Sequence, residues 1–261
     1  MANIHFLGTC SGTEPMPGMH HCAWVLEAGG TYYWFDAGEC CGHTAHTMGL
    51  DITKTRALFV SHPHIDHIGG LSHLFFCMDK ILKREEKKLI HENTLEIYFP
   101  GLELLQAVKA VAMSRFKAAF SFALREHEMQ DGVLYEDENV RITALHNTHL
   151  REDGSDGWHS YSFLIETEGK RIVFSGDVRK PSELDPLIGE GCDLLIMETG
   201  HHKVVDVCEY VIGKKVARLR FNHHGREILG DRAAAEALTA KYAEENGISI
   251  QICHDGMTET L

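Results

Sequence analysis

The chain has 261 residues, 44% of them apolar, which is near the upper limit of what one hydrophobic core supports. Its formal charge of −13, with only 25 basic residues, disfavours nucleic acid as a partner without excluding it, because a grip on phosphate backbones relies on Lys and Arg. No apolar run approaches a membrane span and no signal-peptide pattern opens the chain, so we expect a soluble, cytoplasmic protein without a membrane partner.

Short apolar or alternating runs, separated by Gly-rich turns, predict strands. In chain order the predicted strands are residues 4–7, 23–27, 32–35, 57–60, 95–99, 140–145, 161–166, 171–174, 194–197, 216–221 and 248–253. Apolar residues at spacings of three and four predict helices. The predicted helices are residues 70–91, 102–129, 181–189 and 231–245.

Two groups of strands with helices between and after them predict an α/β fold with four layers, an αββα sandwich of two packed mixed sheets. No internal repeat or low-complexity linker interrupts this pattern. We therefore expect a single domain over residues 1–261, with a helical insertion at about 101–130.

Histidine is the outlying residue type, with 19 copies, and this concentration points to metal binding or acid/base chemistry. The eight cysteines, including the adjacent Cys40 and Cys41, fall at no zinc-ribbon or C-x-x-C spacing. A chain of this length does not need disulfide bonds for stability, so we expect reduced and mostly buried thiols.

Four metal-binding side chains follow the apolar strand predicted at 57–60, namely His62, His64, Asp66 and His67. Residues i and i+2 of an extended chain point the same way, so His62 and His64 can share one metal ion. Asp66 and His67 then face a neighbouring ion. Imidazole and carboxylate ligands at such a turn suit zinc, with manganese or iron as alternatives.

The pattern H-x-H-x-D-H after an apolar strand resembles the signature of the metallo-β-lactamase fold, a large hydrolase superfamily whose fold is an αββα sandwich. Three other segments are similar to its RNase Z-like and small phosphodiesterase branch: F-L-G-T-C-S-G at 6–12, F-D-A-G at 35–38 and H-D-G-M at 254–257. The resemblance therefore reaches both ends of the chain.

The resemblance implies three further metal ligands. A histidine after a strand favours His149 over its rival His146, which strand alternation places on the opposite face. A Gly-Asp turn makes Asp177 the aspartate that bridges both ions, since an anion between two dications offsets their repulsion. The last ligand is His223 or His224, and distance from the preceding strand favours His223.

Three positions remain with catalytic or undecided roles. If His223 is the ligand, His224 either protonates the leaving oxygen or simply hydrogen-bonds a loop carbonyl. Glu198, at the end of another strand, resembles the family's acidic position that orients a histidine. Four loop histidines have roles that the sequence leaves open: His20, His21, His201 and His202.

These residues imply a dinuclear metal-dependent hydrolase. Two ions lower the pKa of a bridging water and hold the resulting hydroxide for attack, with Asp66 orienting it. The RNase Z-like resemblance implies a phosphodiester substrate. No Gly-, Pro- and Lys-rich arm matches the one that clamps tRNA in the processing endonucleases, which together with the charge favours a small or cyclic phosphodiester.

Three alternatives remain open: a lactone or thioester hydrolase of the same fold, a tRNA 3′-processing endonuclease, and a non-catalytic binding protein. Non-catalytic members usually lose ligands, whereas all seven positions are filled here. His64 stands where flavodiiron relatives usually carry glutamate, which argues against that redox class. Members of the family are often dimers, so the resemblance leaves a homodimer open, and the sequence does not decide the oligomeric state.

Overall fold

The computed structural model describes residues 1–113, 119–150 and 158–261. These residues form two compact units, each built on a seven-stranded mixed sheet. The first unit comprises Met1–Gly8, Glu14–Met129 and Asp255–Leu261, and the second comprises Thr9–Thr13 and Gln130–His254. The single domain expected over residues 1–261 stays a prediction.

Along the chain, runs of consecutive strands are followed by stretches in which strands and helices alternate. The strands are β1 (Asn3–Gly8), β2 (Ala23–Ala28), β3 (Thr31–Phe35), β4 (Thr55–Phe59), β5 (Thr94–Phe99), β6 (Ala123–Glu128), β7 (Gly132–Glu136), β8 (Val140–His146), β9 (Tyr161–Thr167), β10 (Lys170–Phe174), β11 (Leu194–Glu198), β12 (Arg218–Asn222), β13 (Ser249–Ile252) and β14 (Thr258–Thr260). The helices are α1 (Cys41–Thr47), α2 (Ile65–Ile68), α3 (Leu71–Arg84), α4 (Leu102–Ala112), α5 (Asp185–Ile188), α6 (Val204–Val211), α7 (Arg226–Gly230) and α8 (Arg232–Asn246).

The sheet of the first unit has the order β14-β1-β2-β3-β4-β5-β6. Strands β14 to β3 pair antiparallel, and β3 to β6 pair parallel. All five residues of β3 are buried, as expected for a strand with both faces covered. On α3, Leu74 and Met78 lie one turn apart and join the core cluster that contains Trp34 and Leu58.

The sheet of the second unit has the order β13-β12-β11-β10-β9-β8-β7. Strands β7 to β10 pair antiparallel, and β10 to β13 pair parallel. Strand β11 is buried along its whole length, and Leu195 and Met197 pack in one cluster with Val204 and Cys208 of α6. The sequence therefore folds into parallel strands wherever an apolar run is followed by a helical crossover.

The prediction of a helix over residues 102–129 is wrong for the second half of that range. Helix α4 ends at Ala112, and β6 pairs parallel with β5 instead of continuing the helix. Glu96 of β5 accepts hydrogen bonds from Arg125 at 3.0 Å and from the His127 ring at 2.7 Å, so cross-strand partners outweigh the local helical pattern. Residues 114–118, also part of that predicted helix, lie outside the described residues.

The helix predicted over 70–91 is also shorter, because α3 ends at Arg84. Strands β7 and β14 were not predicted, nor were helices α1, α2, α6 and α7, each of which has eight residues or fewer. Across the described ranges, no helix combines the length and apolarity that a membrane crossing requires.

Candidate functional site

Polar residues of the first unit lie at the carboxyl ends of two parallel neighbours, β3 and β4. Asp36 follows β3 directly, and Ser61 lies two residues after β4. Carboxyl ends of adjacent parallel strands meet at one edge of a sheet, which is where α/β folds collect functional groups. The turn with His62, His64, Asp66 and His67 begins at this edge and runs into α2.

Asp36 holds this turn in place. Its Oδ1 accepts the backbone N–H of Ser61 at 2.7 Å, and its Oδ2 accepts the Ser61 hydroxyl at 2.9 Å. The same Oδ2 lies 2.8 Å from Nδ1 of His67, and both side chains are completely buried. A carboxylate on Nδ1 fixes the tautomer of the ring and leaves Nε2 as the basic nitrogen.

The role of Asp36 was not predicted from the sequence, although the F-D-A-G motif was the signal for it. Its φ of 58° lies in the left-handed region, which costs a non-glycine residue roughly 1–3 kcal/mol.

Gly38, in the same motif, is required because of a close approach of the backbone. A Cβ there would lie 2.6 Å from the carbonyl oxygens of Asp66 and His21, so only glycine permits this close approach.

His62 and His64 point to the same side of the chain, as the i, i+2 spacing predicts. Nε2 of His62 lies 3.0 Å from Nδ1 of His64, and the rings of His62 and His67 are 4.0 Å apart between centroids. His62 and His67 are buried whereas His64 is exposed. Metal binding by this set stays a prediction.

In the second unit, three parallel strands end in acidic or imidazole groups. Asp177 follows β10, Glu198 is the last residue of β11, and His223 comes directly after β12. With His201, their candidate ligand atoms all lie within 4.8 Å of one another. Nδ1 of His223 is 3.4 Å from Oδ1 of Asp177 and 3.7 Å from Oε2 of Glu198.

The structure separates His149 from its rival His146. Nε2 of His149 lies 3.6 Å from Oδ2 of Asp177. His146 instead bonds Asp131 through both its backbone N–H and its Nδ1, each at 2.6 Å, and its ring stacks on Trp158 with centroids 3.7 Å apart. The structure thus brings His149 to the acidic cluster and leaves His146 with other partners.

Glu198 forms an ion pair with His201. Burial alone would raise the pKa of the Glu198 carboxyl, but hydrogen bonds from His201 and His223 outweigh it and place that pKa well below its ordinary value. The hydrogen bond to Glu198 in turn raises the pKa of His201, whose ring is about half exposed. Nε2 of His202 lies 2.9 Å from the carbonyl oxygen of Val178 and 3.5 Å from Oε1 of Glu198.

His223 adopts a φ of 49°, so its backbone, like that of Asp36, lies in the left-handed region. A Cβ on Gly200 would lie 2.6 Å from Nδ1 of His223, so the absence of a side chain at position 200 makes room for the ring. The backbone N–H of Thr199 bonds the carbonyl of His223 at 3.3 Å and helps to hold the strained conformation.

His224 has the geometry expected of a histidine that only hydrogen-bonds a loop carbonyl. Its Nε2 donates to the carbonyl of Cys253 at 2.9 Å, its backbone N–H donates to Thr9 at 2.7 Å, and its carbonyl accepts the Ser11 hydroxyl at 2.7 Å. Complete burial lowers the pKa of the ring to about 3, which keeps it neutral. Its catalytic role stays a prediction that this geometry does not favour.

His20 and His21 are held by acidic groups of the first unit. Oε2 of Glu39 lies 2.7 Å from both the backbone nitrogen and Nδ1 of His21, and Asp255 accepts the backbone N–H of His20 at 2.6 Å. Nδ1 of His20 is 3.5 Å from Glu39. The loop that carries both histidines is therefore fixed on residues next to the F-D-A-G and H-D-G-M motifs.

The donor sets of both units fit a divalent cation. They combine imidazole nitrogens with buried carboxylates, the ligands that zinc and similar ions prefer. A buried carboxylate is stable only when it is paired or bound to a cation, and Asp177 and Glu198 are each about 1% exposed.

Comparison with known proteins identifies a family for most of the chain. The family model described as "Anti-Pycsar protein Apyc1" matches residues 2–204. The ribonuclease Z of Shouchella clausii is 29% identical over 186 residues, which cover 70% of this chain and 54% of that protein. The ribonuclease Z of a Cyanothece species is 32% identical over 149 residues, covering 55% and 43%. The chain thus spans about half the length of these curated relatives.

Solved structures confirm the predicted fold class. The metallo-β-lactamase fold protein YhfI from Bacillus subtilis superposes with a TM-score of 0.74 at 17% identity, covering 99% of this chain and 98% of that one. The short form of human tRNase Z gives 0.73 at 19% identity, with the same coverage. The αββα fold predicted from the sequence is therefore confirmed. The chain belongs to the Anti-Pycsar protein Apyc1 family, within the metallo-β-lactamase fold.

Proposed function

We propose that this chain is a metal-dependent phosphodiesterase that acts on a small or cyclic phosphodiester. The observation that carries the proposal is the concentration of buried acidic and imidazole groups at the carboxyl ends of parallel strands in each unit. Asp36 and His67 illustrate it in the first unit, and Asp177, Glu198 and His223 illustrate it in the second. Groups of this kind are retained at such an edge for chemistry.

The proposed centre holds two divalent ions, with zinc preferred and manganese or iron as alternatives. Its proposed ligands are His62, His64, Asp66, His67, His149, Asp177 and His223. The assignment of all seven residues to one centre rests on the H-x-H-x-D-H motif and on the family. Bound ions would supply the Lewis acidity that activates water and stabilises charge on the phosphoryl oxygens.

Asp66 is proposed as the residue that orients the attacking water. Its carboxylate lies 3.5 Å from Nε2 of His67 and is almost fully buried, so it is positioned by the same turn that Asp36 fixes. A buried carboxylate accepts a hydrogen bond from water strongly, because few competing partners surround it.

His201 is proposed as the proton donor to the leaving oxygen, with Glu198 as its positioning residue. The ring is exposed enough to meet a substrate, it carries a raised pKa, and Glu198 binds its Nδ1 at 3.1 Å. Nε2 is therefore the nitrogen that can transfer a proton. His224 is the weaker candidate, since its Nε2 already donates to the carbonyl of Cys253.

The description of the family as anti-Pycsar implies action against Pycsar, and we propose that this chain exerts that action by hydrolysing a phosphodiester. The net charge of −13 supports a small substrate, because it provides little general attraction for a polyanionic RNA.

The test is a substrate panel with metal analysis of the purified protein. We expect close to two metal equivalents per chain and hydrolysis of bis(p-nitrophenyl) phosphate and of at least one 3′,5′-cyclic nucleotide. Replacing Asp66 with Ala should abolish turnover while the circular dichroism spectrum stays unchanged. Phosphodiester turnover that survives this replacement would remove its assigned role, and one metal equivalent or none would refute the dinuclear centre.

A tRNA 3′-processing activity is the second candidate, because the curated relatives at 29% and 32% identity are ribonucleases Z. Precursor tRNA belongs in the same panel, and its cleavage at a rate above that of every cyclic nucleotide would favour this candidate. Hydrolysis of lactones or thioesters alone would favour the other hydrolase class. Metal binding without turnover of any substrate would favour a binding protein.

A further inference from the structure

A cavity in the first unit lies away from the residues proposed for catalysis. It has a volume of about 940 Å³ and lies between α1, the 3-10 turn at Ile52–Lys54 and α3. Its walls are mostly apolar, yet four side chains able to bind a soft metal ion open into it: His43, His46, His73 and Cys77. None of these four residues belongs to the proposed dinuclear centre.

Two of the four side chains are already adjacent. His73 and Cys77 are separated by four residues on α3, the spacing that places side chains on the same helix face. Sγ of Cys77 lies 3.4 Å from Nε2 and 3.8 Å from Nδ1 of His73. Imidazole and thiolate together form a ligand pair that Zn²⁺, Co²⁺ and related ions favour over Mg²⁺ or Ca²⁺.

Helix α1 passes close to this pair. A Cβ on Gly42 would lie 3.8 Å from Nδ1 of His73, so the backbone of α1 passes close to this ring. His46 is one helical turn beyond Gly42 and shares its face, whereas His43 is rotated by about 100° around the helix axis. His46 is exposed, so it can change rotamer at little energetic cost to meet the pair on α3.

We propose that His46, His73 and Cys77 form a second transition-metal site, separate from the catalytic centre, with water or an added anion completing the coordination. The ion would link α1 to α3 and would stabilise this part of the first unit. Nearby cations do not oppose it strongly. Lys83 is paired with Asp79 at 3.3 Å, and the Lys80 ammonium lies over the Phe76 ring at 5.2 Å.

Binding requires loss of the thiol proton. Burial raises the pKa of Cys77, so the thiol is protonated at neutral pH without a metal. The incoming ion displaces this proton to solvent as the metal–sulfur bond forms, with no change of oxidation state.

The first experiment uses Zn²⁺ and an alkylating reagent on the protein as purified. Among the cysteines of the described ranges, Cys40 is exposed and Cys77 is half-buried, while the other six are buried. Alkylation by iodoacetamide, mapped by mass spectrometry, should become slower at Cys77 when Zn²⁺ is added. Cys40 should react at the same rate with and without Zn²⁺, which makes it an internal control. Unchanged alkylation of Cys77 would overturn the proposal.

The second experiment identifies the ligands with Co²⁺. Wild-type protein should develop a thiolate-to-cobalt charge-transfer band in the near ultraviolet. The band should be lost in the variants Cys77→Ser, His73→Ala and His46→Ala, and kept in the matched controls Cys40→Ser and His43→Ala. A band that persists in Cys77→Ser, or that His43→Ala abolishes while His46→Ala does not, would overturn the assignment. Because His43 and His46 are exposed, both variants should fold normally.

Discussion

Replacement of Asp36 by Asn tests whether a buried carboxylate sets the metal-binding form of His67. The amide is nearly isosteric, and Asn tolerates the left-handed φ of 58° at this position. Its Oδ1 can still accept the backbone N–H of Ser61. The amide nitrogen, however, would take the place of the oxygen that lies 2.8 Å from Nδ1 of His67.

Two N–H donors cannot face each other at that distance, so His67 must change tautomer. The proton then moves to Nε2, which removes the lone pair that a metal ion requires. Loss of such a supporting contact typically weakens metal affinity by about 10- to 100-fold, or about 1.4–2.8 kcal/mol. The free energy of unfolding should fall by about 1–3 kcal/mol, since one charge-assisted hydrogen bond is lost.

The assay is competition with a chromophoric zinc chelator, alongside chemical denaturation. Glu128→Gln is the matched control, because the Glu128 carboxylate accepts the backbone N–H groups of Gly101 and Leu102 at 2.7 and 3.2 Å in the same unit and lies outside both proposed metal sites. The control should lose stability without losing zinc affinity. If Asp36→Asn binds zinc as tightly as the wild type, the tautomer argument is refuted. If both variants lose the same zinc affinity, the loss comes from general destabilisation and not from the tautomer of His67.

Three further predictions follow from the second unit. His201→Asn should lower kcat on a phosphodiester by about 10²- to 10⁴-fold with metal content unchanged, and a normal kcat would exclude it as the proton donor. Gly200→Ala should displace His223 and reduce bound metal, measured by elemental analysis. Gly230→Ala should be tolerated, because apart from its own helix and its chain neighbours no atom of the described residues lies within 4 Å of the added Cβ. The pKa of His224 falls to about 3 in the folded chain, so stability should decline as pH drops below the unfolded value of about 6.5. His224→Gln should flatten that decline in denaturation curves, and an unchanged slope would contradict the burial argument.

Much of the fold was predictable because parallel strands are buried on both faces. Such strands appear as continuous apolar runs, as at β3 and β11, and these runs are visible without knowledge of their partners. The edge strand β6 was not predictable in the same way. Its sequence alternates weakly and carries four charged or histidine side chains, and it forms a strand because β5 supplies hydrogen bonds and Glu96 supplies partners.

In the candidate site, too, the local patterns were predictable from the sequence and the long-range contacts were not. The types and spacing of His62, His64, Asp66 and His67 are local properties of one turn, so the sequence alone specified a metal-binding motif there. The choice between His146 and His149 depended on Asp131 and Trp158 for the first and on Asp177 for the second. No spacing rule contains that information.

By itself the sequence determined the fold class and the position of the H-x-H-x-D-H turn, because each depends on short patterns of residue type. Only the tertiary structure decided that Asp36 fixes His67, that Glu198 orients His201 and that His224 is tied to the carbonyl of Cys253. These contacts join residues brought together by the packing of strands and loops. Their energies depend on distance and burial, which a linear pattern does not contain.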